Sequence, residues 1–152
     1  MNRELLIQRL DSAPDRLLRL CAGLSPEDAS RRPAEGEWSV VEVARHLVEG
    51  DRDTFLPRLY RMLAEDRPVF VSRDRGRRDQ SDLEALLVEF ESARREAVKI
   101  LRELDPAGWT REGVSPSRGP LTVEAYALGM ADHDDEHLAQ IDATITAIEL
   151  AK

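Results

Sequence analysis

Cysteine is almost missing from this chain. Cys21 is the only one, so no internal disulfide can form and the fold must be held by packing. The cytoplasm is the compartment that this implies, and Cys21, which follows Leu17 and Leu18 on a helical stripe, reads as a buried structural thiol. Positive charge is also short: 22 Lys and Arg stand against 30 Asp and Glu, a formal net charge of −8. That average field repels a polyanion. The one basic run, Arg73-Asp74-Arg75-Gly76-Arg77-Arg78, is broken by acid and lacks aromatic rings for base stacking, so it reads as a solvated loop or a docking surface for a small anion. Nucleic acid is not an expected partner. No apolar stretch approaches the ~20 residues that cross a bilayer. The opening Met1-Asn2-Arg3-Glu4-Leu5-Leu6 carries an acid and no long apolar core, unlike a secretory signal, so no membrane association is expected. Alternating strand patterns, internal repeats, low-complexity tracts and domain linkers are absent too.

What remains is helical periodicity in a single expected domain spanning residues 1–152, long enough for a core of its own. Leu5, Leu6, Leu10, Ala13, Leu17, Cys21 and Leu24 trace a first stripe, with Pro14 expected to kink or break it near Ser12-Ala13. Ser25-Pro26-Glu27-Asp28 starts a short turn, with serine as cap and proline at the first helical position. Ser39 and Glu42 form a capping box, and Trp38 and Val43 occupy the positions of a hydrophobic staple. This second long helix is expected to reach Ala64, bent at Pro57. A third opens with a capping box at Ser81-Asp82-Leu83-Glu84 and buries Leu83, Leu86, Leu87, Phe90, Ala93, Ala97, Ile100 and Leu104. A Gly- and Pro-rich connection follows, and a fourth helix runs from Thr122 to about Leu150. The fold class is therefore all-α, a four-helix bundle. Roughly 15 residues join helices two and three, enough to span more than ~30 Å if extended. That long connection would let the two helices lie parallel.

The chain has three histidines, and their placement is its most specific feature. His133 and His137 are four residues apart in Ala131-Asp132-His133-Asp134-Asp135-Glu136-His137-Leu138, so they point the same way one turn apart. With His133 at zero on a helical wheel, His137 falls at about 40° and Gln140 at about −20°, beside an apolar stripe centred near ~110°. Asp132 and Asp135 point away and read as solvated acids. His46 borders the stripe of the second helix in the same manner, with Gly50, Asp53, Glu42 and Glu49 within about 60° of it. Packing the two stripes together would gather three imidazoles, and three neutral imidazoles leave metal coordination positions open, as in catalytic rather than structural zinc sites. Glu49, Asp53, Glu136 and Gln140 are close enough on their wheels to orient a histidine or hold water. The other reading is three ordinary polar residues on helix surfaces, with solvated carboxylates beside them. His133 to His137 also matches H-x-x-E-H literally, but that fold takes a third ligand from well downstream, and metalloprotease chemistry is not expected.

Gly36-Glu37-Trp38-Ser39-Val40-Val41-Glu42-Val43-Ala44-Arg45-His46-Leu47, followed far downstream by His133-Asp134-Asp135-Glu136-His137-Leu138-Ala139-Gln140-Ile141, resembles the DinB-like superfamily, which includes the YfiT-type proteins. Gly23-Leu24-Ser25-Pro26-Glu27, Arg32-Pro33, Trp109 and Gly119-Pro120-Leu121-Thr122 extend the resemblance over nearly the whole chain. It implies an up-down-down-up four-helix bundle, often a homodimer. It also implies a divalent metal, usually zinc or nickel, held at the positions of His46, His133 and His137. Relatives of this kind include transferases and isomerases that use a low-molecular-weight thiol such as bacillithiol or mycothiol. The metal would bind and deprotonate the thiol, which then attacks an electrophilic small molecule. Metal-dependent hydrolysis and a non-catalytic stress-response role are the alternatives.

Overall fold

The computed structural model describes residues 2–72 and 82–152. The basic run at 73–78 and Ser81 lie outside the described residues. Four long helical segments make the frame: α1 (Arg3–Cys21), a second built from α3 (Val40–Glu49), a π-helical segment (Gly50–Phe55) and α4 (Leu56–Ala64), then α5 (Leu83–Arg102) and α7 (Val123–Leu150). Short helices α2 (Pro26–Ser30) and α6 (Pro106–Trp109) sit in the connections. The capping signals fall where they were expected at Ser25 and at Ser39 with Glu42, and the fourth helix starts where expected, capped by Thr122. The start of α5 is capped by Asp82, which accepts the Glu84 N–H.

Pro14 does not break α1, which runs uninterrupted through it. A proline removes the N–H that would bond the carbonyl four residues back, here that of Leu10. That carbonyl accepts instead from the Arg94 guanidinium on α5, at 2.9 Å. The cost of an unpartnered buried carbonyl is thereby avoided. In the second helix the irregularity precedes Pro57. The backbone widens into the π-helical turns of residues 50–55, then resumes as α4 with Pro57 in its first turn, where a missing N–H is harmless.

Side-chain pairings give the direction of each helix. Arg3 pairs with Glu124, and Arg9 with Asp132 and Asp135, so α1 and α7 run parallel. Arg102 lies near Glu4, while Arg94 reaches Leu10, so α5 runs against α1. Arg94 meets Asp51 and Glu96 meets Tyr60, which sets the second helix parallel to α5. His46 meets His133 and Phe55 meets Tyr126, which sets it against α7. The order is up-down-down-up, and helices two and three are parallel, as their long connection allows.

The connection before α7 contains a feature that was not expected, an antiparallel hairpin of β1 (Glu112–Ser115) and β2 (Gly119–Thr122). Four-residue strands interrupted by Gly and Pro carry no readable alternation, so this stretch looked like turn only. Val69 pairs alongside in parallel with Val114. Gly113 is required there, because a Cβ would lie 2.6 Å from the Phe70 ring.

The core has two parts. One is aliphatic, built from Ala13, Leu17, Val40, Val43, Leu47, Leu86, Leu138 and Ile141 among others, with Phe90 as its aromatic member. The other, toward the hairpin, includes Leu6, Leu10, Phe55, Leu59, Met62, Phe70, Trp109 and Tyr126. Cys21 is buried among aliphatic residues, which pushes its thiol up to about 11, so it is inert at neutral pH. Among the described residues no helix is long and apolar enough to cross a membrane.

Candidate metal centre

The second helix and α7 pack through their apolar stripes, and this brings the three histidines together. One ring nitrogen from each of His46, His133 and His137 lies within 4.8 Å of the others. The Nε2 atoms of His46 and His133 are 3.1 Å apart. The rings meet at steep angles, 70° between His46 and His137 and 75° between His133 and His137. Edge-on rings converge their nitrogens on one point instead of stacking their faces. Nitrogens bound tetrahedrally to one zinc ion at ~2.0–2.1 Å would stand roughly 3.3 Å apart, so this donor set fits a divalent cation with little rearrangement.

The surroundings favour a neutral His133 ring. Burial, reinforced by the charge of His137, pushes His133 down from 6.5 to about 4, with Glu136 and Asp51 pulling the other way. The buried His133 Nδ1 has no hydrogen-bond partner among the described residues. His137 Nδ1 lies 2.8 Å from Gln140 Oε1. The amide oxygen can only accept, so Nδ1 carries the proton and Nε2 is left with its lone pair free for a metal. Gln140 is therefore an expected neighbour that the structure joins directly to a histidine. Glu136 is exposed, and Glu49 and Asp53 are half-buried; none of these three lines the groove described next. Gly50 is not sterically required, since a Cβ there would sit 3.8 Å from His133 Cε1, an ordinary contact.

His137 and Gln140 form part of the wall of a groove of about 580 Å³, completed by Pro33, Gly36, Glu37, Trp38 and Thr144. Trp38, expected to staple onto Val43, has its ring centre 5.4 Å from that of His46. It thus buttresses one imidazole and walls the groove at once. Asp132 is exposed, as expected, and Asp135 is half-buried; they pair with Arg9 and Arg16 on α1.

Beneath the histidines lies a cluster that the sequence reading passed over. Arg94 is fully buried between Asp51 and Asp134, themselves buried. Its Nε and Nη2 donate to the two oxygens of Asp51, each at 3.0 Å. Nη2 and Nη1 donate to the two oxygens of Asp134 at 2.9 and 2.6 Å. With the bond to Leu10, all five guanidinium N–H groups are used. Burial opposes the charge on Arg94, but the two carboxylates outweigh it and raise its pKa. A signal for this cluster was available. On the same wheels Asp134 falls about 100° from His133, and Asp51 about 140° from His46, inside the apolar stripes. An acid in such a place needs a buried partner.

A family model of the DinB superfamily matches residues 9–141. Among solved structures, the chain is similar to YfiT from Bacillus subtilis, described as a probable metal-dependent hydrolase with an unusual four-helix bundle topology. The TM-score is 0.85 at 20% identity, over 93% of this chain and 85% of that one. It is also similar to TT2238, described as a four-helix bundle protein, with a TM-score of 0.65 at 24% identity, over 93% of this chain and 99% of that one. No curated protein matches it in sequence.

Proposed function

The chain belongs to the DinB superfamily, and we propose that it is a divalent-metal enzyme that transfers a low-molecular-weight thiol to an electrophilic small molecule. The observation that carries this reading is the three-imidazole cluster, with its nitrogens within 4.8 Å of one another and with His137 on the wall of the groove. His46, His133 and His137 would hold the ion, zinc or nickel, and Gln140 would fix the ring of His137. A bound ion supplies Lewis acidity, which lowers the pKa of a water or thiol presented to it.

The choice of thiol over water rests on the shortage of bases. A free thiol has a pKa of ~8.5, so it needs far less help to lose its proton than water at ~15.7. Among the described residues the groove wall has one carboxylate, the exposed Glu37. Such a site suits a nucleophile that needs no general base. The thiol proton leaves to solvent, and its sulfur bonds to the electrophilic carbon as that carbon's bond to a leaving group breaks and the group departs with the electron pair. The indole of Trp38 gives the substrate an apolar wall. Hydrolysis is the second reading, favoured by the description of YfiT as a probable metal-dependent hydrolase. Within the proposal the protein is a cytoplasmic homodimer, which light scattering of the purified protein checks.

Metal content of untagged wild type and of His46→Ala, His133→Ala and His137→Ala tests the shared site. Near-stoichiometric metal in wild type and loss in each variant is expected; low content unchanged by the variants would overturn it. Incubating the loaded protein with bacillithiol or mycothiol and a generic electrophile then tests the chemistry. Turnover that requires the thiol is expected. Turnover without it would establish hydrolysis, and none in either case a binding module.

A further inference from the structure

We propose that Asp51, Arg94 and Asp134 form the positioning element of the histidine site, an anionic clamp that sets the spacing of its two helices and supplies the counter-charge for its cation. The inference rests on the divalent-metal reading above and extends it to residues that touch no ligand.

Placement is the first argument. Asp134 is the residue after His133 on α7, and Asp51 follows His46 by little more than one turn on the second helix. Both carboxylates are gripped through two oxygens each by one guanidinium, at 2.6–3.0 Å. Planar bidentate pairing fixes orientation as well as distance. Sliding or separating the two helices would break several of these bonds at once. The third contact extends the clamp to α1, through the Leu10 carbonyl that Pro14 leaves unbonded. One side chain on α5 thus ties the four long helices together at the level of the imidazoles.

Charge is the second argument. One guanidinium neutralises one carboxylate, but two are buried here. All four carboxylate oxygens accept from Arg94, an acceptor-only role that favours ionised acids against the burial that pushes Asp134 up. The cluster then carries a net charge of −1 in a medium that screens poorly. A fold that needed only packing would do as well with apolar residues of similar volume. A surplus buried anion beside three clustered imidazoles is accounted for by a cation among those imidazoles.

Zinc titration of metal-free protein in competition with a chromophoric chelator tests the idea, together with the visible spectrum of the cobalt(II) form. Asp51→Asn and Asp134→Asn keep the side-chain shape and remove the surplus charge; each is expected to weaken zinc binding about 10- to 100-fold. Arg94→Lys loses the bidentate grip and is expected to shift the cobalt bands. Variants with lowered melting temperature but wild-type zinc affinity and cobalt spectrum would overturn the inference, leaving a purely structural cluster. If Arg94→Lys does not fold, Asp134→Asn, which keeps the Asp51–Arg94 pair, decides alone. Wild type that binds no zinc would overturn the proposed function and this inference together. Wild type that binds, with Asn variants binding equally well, would overturn this inference only.

Discussion

His133 and Asp134 are neighbours on α7, yet their side chains enter two clusters built on opposite terms. Around Asp134 every donor and acceptor is used: five guanidinium bonds join two acids and a backbone carbonyl. At His133, Nδ1 has no partner among the described residues and Nε2 lies 3.1 Å from another imidazole nitrogen. A closed cluster holds a fold together, whereas an open one is complete only with something that the chain does not supply. The difference predicts that damage to the first costs stability of the metal-free fold as well as binding, and damage to the second costs binding alone.

Breaking the clamp outright gives the largest effect. Arg94→Met leaves Asp51 and Asp134 buried against each other without their cation, and should destabilise the protein by about 3–5 kcal/mol. Urea denaturation of metal-free protein measures this, and a loss below about 1 kcal/mol would show that the clamp does not hold the fold. The opposite pattern is expected for His133→Ala. Its metal-free stability should change by no more than about 1 kcal/mol. Its zinc affinity should fall at least ~100-fold, because a three-donor site is reduced to two. A His133→Ala protein that unfolds as readily as Arg94→Met would erase the distinction between the clusters.

The open cluster was legible in the sequence and the closed one was not, although both lie on the same helices. His133 and His137 repeat at a helical interval, and three histidines in the whole chain make any grouping conspicuous. Asp51 and Asp134 are two of 30 acids, and Arg94 is one of 22 basic residues, so nothing local marks them. Their position inside apolar stripes was the available sign. The four long helices were readable because caps and periodicity agree with the tertiary packing. Pro14 and the hairpin at 112–122 were misread for a shared reason. Each depends on a partner distant in sequence, the guanidinium for the Leu10 carbonyl and Val69 with Phe70 against β1. Local propensity cannot anticipate a donor that arrives from another helix.

Gln140 tests how far the open cluster depends on the bond that orients His137. Gln140→Leu removes the acceptor from His137 Nδ1 and frees the ring to turn, while it leaves the three imidazoles in place. Zinc affinity should drop about 10- to 100-fold by competition titration, a smaller loss than for a deleted histidine. Gln140→Glu should restore it, since a carboxylate oxygen also accepts from Nδ1. Equal affinity in wild type and Gln140→Leu would show that packing alone orients His137.

Acid separates the two clusters most gently. Burial pushes His133 down to about 4 from an ordinary 6.5, so between these values the unfolded chain takes up a proton that the folded chain refuses. Stability of the metal-free protein therefore rises with pH across that window. The contribution of the neutral ring is complete above about pH 6.5, is lost progressively as pH falls toward 4, and changes no further below that. The Arg94 guanidinium has its pKa raised by Asp51 and Asp134 and stays charged throughout, while burial holds the Asp134 carboxyl above its ordinary value. Asp28, Glu42 and Asp135 are held below the ordinary carboxylate range by hydrogen-bonded Lys152, Arg32 and Arg16 respectively, so they titrate under more acidic conditions. Urea midpoints at pH 7 and pH 5 should thus fall in wild type and fall less in His133→Gln, which cannot titrate. An equal fall in both proteins would place the responsible group outside the histidine cluster, and an absent fall would show that His133 keeps its ordinary affinity for protons in the fold.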